Sequence, residues 1–348
     1  MATIQEMLKI AGTVQEAEKF ARNLIKIKGP EYLLDLSLLL SIQGKFDESK
    51  DAIKKALENN PNDVRAKFNL GWHFLRDGKL LEGFKLLNEG RIFDSFGNRP
   101  LNTDKPIWDG SSGHHLLFSC EGGFGDQIIF VRFAKEIADL GYKVVISCST
   151  ELMDLFSGFD IPVVDSRVCT NVYHDYWIPS FGLPVIMKYE YDDINGKPYI
   201  NPKDDKVKKF SKIIKTKKPL KVGIKWSGNE QFEHQQFRRF PPDLLFNILR
   251  NDNIEVYSLQ YDEDAPDDFI DLSPFLKDWS DTAGVIANMD IIISSCTGVA
   301  HLSAAMGKPT LIIVPIMPYF IWANRGDKSP WYDSVTLFRQ TKFEEWND

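Results

Sequence analysis

Over the first hundred positions, apolar residues recur in steps of three and four. Leu34, Leu38, Leu39 and Ile42, then Ala52, Ile53, Ala56 and Leu57, keep this spacing. It is the pattern of amphipathic helices, and no alternating, strand-like stretch interrupts residues 1–100. Ile42-Gln43-Gly44-Lys45 is echoed by Arg76-Asp77-Gly78-Lys79, with the two glycines 34 positions apart. Each glycine predicts a turn between two helices, where a positive φ costs a residue without Cβ little. Asn60-Pro61-Asn62-Asp63 closes the first unit, and residues 14–28 read as a third, degenerate one. The period and layout match the tetratricopeptide repeat, whose stacked units form a curved surface for a partner or substrate. A plain helical cap on the following domain is the competing reading.

From residue 115 the pattern changes. Strands are expected at 116–120, 143–147, 163–164 and 176–178, with helices at 126–140 and 150–157. A second series places strands at 220–226, 255–260, 291–294 and 310–314, and helices at 242–249, 281–288 and 297–306. Such alternation predicts parallel sheets with helices on both faces. Two of them in tandem leave a cleft, and ligands of such sheets bind outside the carboxyl ends of the strands. Residues 96–112, rich in Asn, Pro, Gly and Asp, read as a linker whose Trp108 docks on the next domain. The Lys-rich stretch 202–219 reads as a helix and turn with a solvated face. The expected organisation is helical repeats over 1–100, a Rossmann-like lobe over 101–215 and a second over 216–348.

Composition narrows the class. The 348 residues are 43% hydrophobic and 26% charged, an ordinary globular balance with ample core. A net charge of -7 argues against a general nucleic-acid binder, which needs surplus cations. Cys120, Cys148, Cys169 and Cys296 show neither C-x-x-C nor zinc spacing, so a reduced, cytoplasmic setting is expected. The first residues read as neither signal peptide nor membrane anchor. The most apolar runs, 291–294 and 310–318, fall far short of the roughly 20 residues that span a bilayer.

Three strand–loop–helix junctions carry candidate chemistry. In Cys120-Glu121-Gly122-Gly123-Phe124-Gly125-Asp126, the glycines let a ligand approach the backbone. Asp126 opens the helix, either as a cap favoured by the helix dipole or as a general base. The second junction, Trp226-Ser227-Gly228-Asn229, runs on through His234 and Gln235 to Arg238-Arg239-Phe240-Pro241. A guanidinium there suits phosphate oxygens. The third, Ser294-Ser295-Cys296-Thr297-Gly298-Val299-Ala300-His301, sets small hydroxyl residues and Gly at a helix N-terminus. That is an anion site when its N–H groups are free, and an ordinary capped helix when they are not. Thr297 and His301 share a helix face. Neither lobe carries a full dinucleotide fingerprint or a P-loop. A nucleotide-sugar transferase is therefore favoured over a dehydrogenase or kinase.

At these residues the chain resembles the tetratricopeptide-containing glycosyltransferases of bacteria and phages. These are related to lipopolysaccharide heptosyltransferases and, more distantly, to O-linked N-acetylglucosamine transferase. Asn69-Leu70-Gly71-Trp72, Glu82-Gly83-Phe84 and Pro106-x-Trp108-x-Gly110 resemble the family's junction between repeats and lobe. Glu121 to Asp126 resembles its EQGLGD motif, and Pro179 to Pro184 its PLxSLP loop. Trp226-x-Gly228-Asn229 matches WxGN, and Thr297 to Leu302 with Gly307-Lys308-Pro309 is similar to DTAVAHLxxALGKP. Ser329-Pro330-Trp331-Tyr332 and Leu337-Phe338-Arg339-Gln340 match the tail.

The resemblance implies a GT-B fold, an acceptor-side first lobe, a donor-side second lobe and no metal or other cofactor. It casts Asp126 as the base and Arg238, three residues before Pro241, as the cation on the donor diphosphate. Thr297 and Gly298 would hold the β-phosphate. The candidate donor-binding set is Gly123, Gly125, Trp226, Gly228, Asn229, Gln235, Gln260, Ser295, Cys296, Thr297, Gly298 and His301. The implied partners are a nucleoside-diphosphate sugar and a protein, glycan or nucleic-acid acceptor brought by the repeats, with no membrane insertion. The sequence departs from the family at Cys296, which replaces Asp, at Phe232, which replaces His, and at Arg239, which replaces Ser. These departures motivate a non-catalytic nucleotide-binding alternative. The Lys-rich stretch motivates another, transfer to modified bases in DNA.

Overall fold

The computed structural model describes residues 4–90, 101–229, 235–323 and 326–346, apart from the side chains of Gln5, Gln235 and Gln236. Helices come first: α1 (Ile4–Ala11), α2 (Val14–Lys28), α3 (Leu33–Ile42), α4 (Phe46–Asn59), α5 (Val64–Arg76) and α6 (Leu80–Glu89). The turns after α3 and α5 carry Gly44 and Gly78 at φ 76° and 81°. That left-handed conformation explains why glycine recurs there.

The first lobe holds β1 (His115–Ser119), α7 (Phe124–Asp139), β2 (Lys143–Cys148), α8 (Thr150–Phe156), β3 (Val163–Asp165), β4 (Tyr176–Pro179), α9 (Leu183–Ile186) and α10 (Asp204–Ser211). The second holds β5 (Leu220–Lys225), α11 (Gln235–Arg238), α12 (Phe246–Leu249), β6 (Ile254–Ser258), β7 (Ile270–Asp271), α13 (Trp279–Ala287), β8 (Ile291–Ser295), α14 (Gly298–Ala305), β9 (Thr310–Val314) and β10 (Val335–Arg339). The strand orders are β3-β2-β1-β4 and β10-β9-β8-β5-β6-β7. The pairing is parallel throughout both sheets. The order reverses between β1 and β4 and again between β5 and β8. Connections at such a switch point leave toward opposite faces and open a crevice.

The structure differs from the sequence reading in particular places. Residues 242–249 form a 3-10 turn (Pro242–Leu245) and the single turn of α12 rather than one helix. β10 was not expected as a strand, although Val335 and Leu337 are buried in alternation with exposed Thr336 and Phe338. The two residues of β7 are exposed and carry no pattern. Within the expected linker, Trp108 is buried, donates Nε1–H to Ser111 O at 2.8 Å, and lies edge-on to Tyr142.

The three expected segments also share cores. Leu75, Leu80, Phe84 and Leu87 of the second helical pair belong to one apolar cluster with both lobes. Phe84 meets Phe130 of α7 at 5.9 Å and Phe320 of the second lobe at 5.5 Å. Arg76 donates to Pro318 O, and Trp72 packs on Tyr319 and Phe320. The tail returns to the first lobe, where buried Arg132 of α7 donates to Trp331 O at 2.9 Å. α10 falls in the first lobe by sequence, yet it packs on α13 of the second, with Lys206 and Lys209 both 2.8 Å from the buried carboxylate of Asp281. Half of the lysines in the Lys-rich stretch are ion-paired, since Lys203 meets Asp154 and Lys218 meets Glu255 as well, while Lys208, Lys212, Lys215 and Lys217 are exposed. No helix among the described residues is long and apolar enough to cross a membrane.

Candidate active site

The amino ends of α7 and α14 meet across the two lobes. A Cβ on Gly125 would lie 3.2 Å from His301 Cδ2 and 3.5 Å from Gly298 Cα, so any larger residue would press on the His301 ring. Asp126, in the first turn of α7, is part-buried at the junction. Its Oδ2 accepts the Gly123 N–H at 2.9 Å, which is the capping role. Its Oδ1 accepts the hydroxyl of Tyr319 from the opposite lobe. Burial raises the Asp126 pKa above the ordinary range, against the opposing pull of Tyr319, the Gly123 N–H and the nearby Arg238 charge. Burial and the Asp126 carboxylate push Tyr319 well above the usual phenol value, so it stays a proton donor.

Arg238 ends α11 and donates Nη2–H to Cys296 O at 2.6 Å, immediately before α14. Its charge reaches Asp126 and His301. Arg239, by contrast, is exposed and paired with Glu263. The structure thus separates the two arginines that sequence sets side by side. Cys296 is a buried thiol whose Sγ accepts the Trp322 indole N–H at 3.0 Å, with burial raising its pKa. Thr297 is the N-cap residue of α14, yet its side chain accepts no helix N–H and instead meets Ser294 Oγ at 3.0 Å.

His301 stacks on Trp322 at 5.1 Å and 2° and meets the Tyr332 hydroxyl through Nδ1 at 3.3 Å. Burial, helped by Arg238 and Arg132, lowers its pKa to about 3, so the imidazole is neutral at physiological pH. Trp279 covers Gly298, where an added Cβ would lie 2.5 Å from the indole.

A second group lies at the carboxyl ends of β5, β6 and β8. Gln260 is fully buried; its Oε1 accepts Ser227 N–H at 3.1 Å, while its Nε2 has no partner among the described residues. Ser295 Oγ is also buried and has no partner among the described residues. Buried polar atoms left this way are uncommon and call for a ligand or water. Trp226 is buried in the second lobe's core with its N–H on Glu263 at 3.0 Å; Gly228 is buried and Asn229 exposed. Gln235 begins α11, and its side chain lies outside the described atoms, as do Phe232 and His234 altogether.

The structure therefore gathers Gly123, Gly125, Asp126, Arg238, Cys296, Thr297, Gly298 and His301 at one junction. Trp226, Gly228 and Gln260 lie at the β5–β6 edge, and Ser295 ends β8. Sequence reasoning missed Tyr319 and Trp322, which sit in the aromatic run Tyr319-Phe320-Ile321-Trp322 with no spacing to mark them. It also missed Lys225, a buried cation ending β5. In the first lobe the switch point is closed by its own residues: the Glu121 carboxylate accepts Phe181 N–H at 2.7 Å, and Glu121 N–H donates to Ser180 Oγ at 3.0 Å. Among the described residues, no group of three His, Cys, Asp or Glu side chains is placed to hold a metal ion.

No family model matches the chain. Protein FlbA of Caulobacter vibrioides is 23% identical over 280 residues, a match that takes in 69% of this chain and 46% of FlbA. The chain thus spans about half the length of that curated relative. The ADP-heptose lipopolysaccharide heptosyltransferase II of E. coli gives a TM-score of 0.47 at 10% identity, covering 64% of this chain and 90% of its own. A glycosyl transferase family 9 protein of Veillonella parvula gives 0.47 at 10% identity, covering 67% and 88%. The dodecameric iron-containing glycosyltransferase TibC of enterotoxigenic E. coli gives 0.46 at 12% identity, covering 70% of this chain and 66% of its own.

Proposed function

We propose that this chain is a GT-B glycosyltransferase that moves a sugar, with inversion and without a metal ion, from a nucleoside diphosphate to an acceptor hydroxyl or amide. The observation that carries the reading is the convergence on Asp126. Two helix N-termini, each worth roughly half a positive charge, and the Arg238 guanidinium surround a single carboxylate raised in pKa by burial. One part of such a site suits an anionic leaving group and the other a base. Asp126 takes the acceptor proton as the acceptor atom bonds to the anomeric carbon. The bond from that carbon to the phosphate oxygen breaks, and its electron pair leaves with the diphosphate. Arg238 and the α14 N–H groups neutralise the departing charge, the service a metal ion gives elsewhere. Helices α1 to α6, read as tetratricopeptide-like repeats, would recruit the acceptor.

Asp126→Asn is expected to lower kcat by about 100- to 10,000-fold, the usual share of a general base, with donor affinity preserved. A variant that matches wild type in kcat removes the assignment.

One observation favours a second reading. Cys296 replaces a family carboxylate and is held by Trp322, which suits a module that binds a nucleotide sugar without transferring it. Donor that binds yet is neither hydrolysed nor transferred, with protein, glycan and nucleic-acid acceptors alike, would select that reading.

A further inference from the structure

The second lobe's switch point lies between β5 and β8. The last residue of β5 is Lys225, and its register partner on β8 is Ser294. Partners in a parallel pair project to the same face. Ser294 Oγ in turn meets Thr297 Oγ1 at 3.0 Å, at the start of α14. Lys225 therefore ends its strand one position across the crevice from the hydroxyl pair that opens the helix.

Its side chain is 8% exposed, and no hydrogen bond or ion pair to it is found among the described residues. The carboxylates whose charge it feels are Asp262 and Glu263. Glu263 is already engaged by the Trp226 indole and by Arg239. The stem of Lys225 is buried, but its Nζ is not among the enclosed polar atoms, so the ammonium keeps contact with solvent and is open to a ligand. The first lobe shows the contrast, since there Glu121 fills the corresponding crevice with its own hydrogen bonds.

We propose that Lys225 is a phosphate-binding residue. Its ammonium contacts the diphosphate of the donor from the carboxyl end of β5, beside the crevice with β8. This inference rests on the proposed nucleoside-diphosphate site and adds to it a second cation that the family resemblance does not supply.

The test measures binding of ADP, UDP, GDP and CDP, with the four parent nucleosides as controls, by calorimetry on the full chain. Lys225→Met is expected to weaken the preferred diphosphate by about 10- to 100-fold, the range of a hydrogen bond to a charged group, while nucleoside affinity stays within about twofold. Lys225→Arg should restore most of the loss. The ligand-free Met variant should melt no lower than wild type, because a partly desolvated charge has been replaced by an apolar chain of similar length. A merely structural lysine would not couple a preserved melting point to weaker diphosphate binding.

A second measurement uses wild type alone. Burial lowers the Lys225 pKa to about 8, so at about pH 8.5 part of the population is neutral. A bound diphosphate favours the charged form, and binding should take up protons, seen by comparing buffers of different ionisation enthalpy. Diphosphate binding to wild type with no proton uptake, or with equal affinity in Lys225→Met, overturns the Lys225 inference and leaves the transferase reading standing. Wild type that binds none of the four diphosphates overturns both.

Discussion

Replacing Tyr319 with Phe removes one oxygen from the junction between the lobes. The ring keeps its packing on Trp72 and Phe320, at 5.8 and 4.7 Å between centroids. What is lost is the hydrogen bond to Asp126 Oδ1. Against an ionised carboxylate such a bond contributes about 1.5–3 kcal/mol, and against a protonated one about 1 kcal/mol. The difference should appear as pH dependence. Asp126 has a folded-state pKa above its unfolded value, so its contribution to stability is present below the unfolded pKa and is lost as pH rises through the folded one. Removing a group that holds the pKa down moves the folded value higher still. The stability lost on Tyr319→Phe should therefore grow as pH rises through and above the ordinary carboxylate range. Urea unfolding at several pH values, for wild type, Tyr319→Phe, Asp126→Asn and the double variant, measures it. In the Asn background the growth with pH should vanish. A cost that is flat across pH, or equally steep without Asp126, would refute the coupling.

Two further predictions concern the packing. Phe84→Ala deletes a fully buried ring shared by the helical segment and both lobes, and should cost about 3–5 kcal/mol. Helical circular dichroism and tryptophan fluorescence should shift together in denaturant; loss from the helical signal alone would show that the cores are separate. Gly125→Ala gains helix propensity of up to about 1 kcal/mol. It also forces His301 to give way, and that ring is held by Trp322 and Tyr332. Overpacking of about 1–3 kcal/mol should win, seen as a lower melting temperature, and an unchanged or higher one would show that the lobes part freely.

The parallel sheets were legible because buried strands such as 291–295 and 310–314 are short apolar runs bounded by turn residues, and the helices between them keep their period. Asp126 and Thr297 were legible because strand–loop–helix junctions carry small residues that chemistry and capping both need. The helical period could not tell a separate module from one fused to the lobes, since Phe84 is buried either way. Nor does local spacing connect Tyr319 with Asp126: they are 193 positions apart. Lys225 was hidden for a different reason. At the end of an apolar strand, a lysine reads as the first solvated residue, and only the sheet order shows that it closes a crevice.

The ring of Phe84 touches Phe130 on one side and Phe320 on the other, while Arg132 holds the backbone at Trp331. Swinging the lobes apart would pull that ring from at least one neighbour and strip a guanidinium of its carbonyl. The helical segment thus acts as a splint across the joint. Traffic into the gap then falls to local rearrangement at its rim rather than to a jaw-like movement of whole lobes.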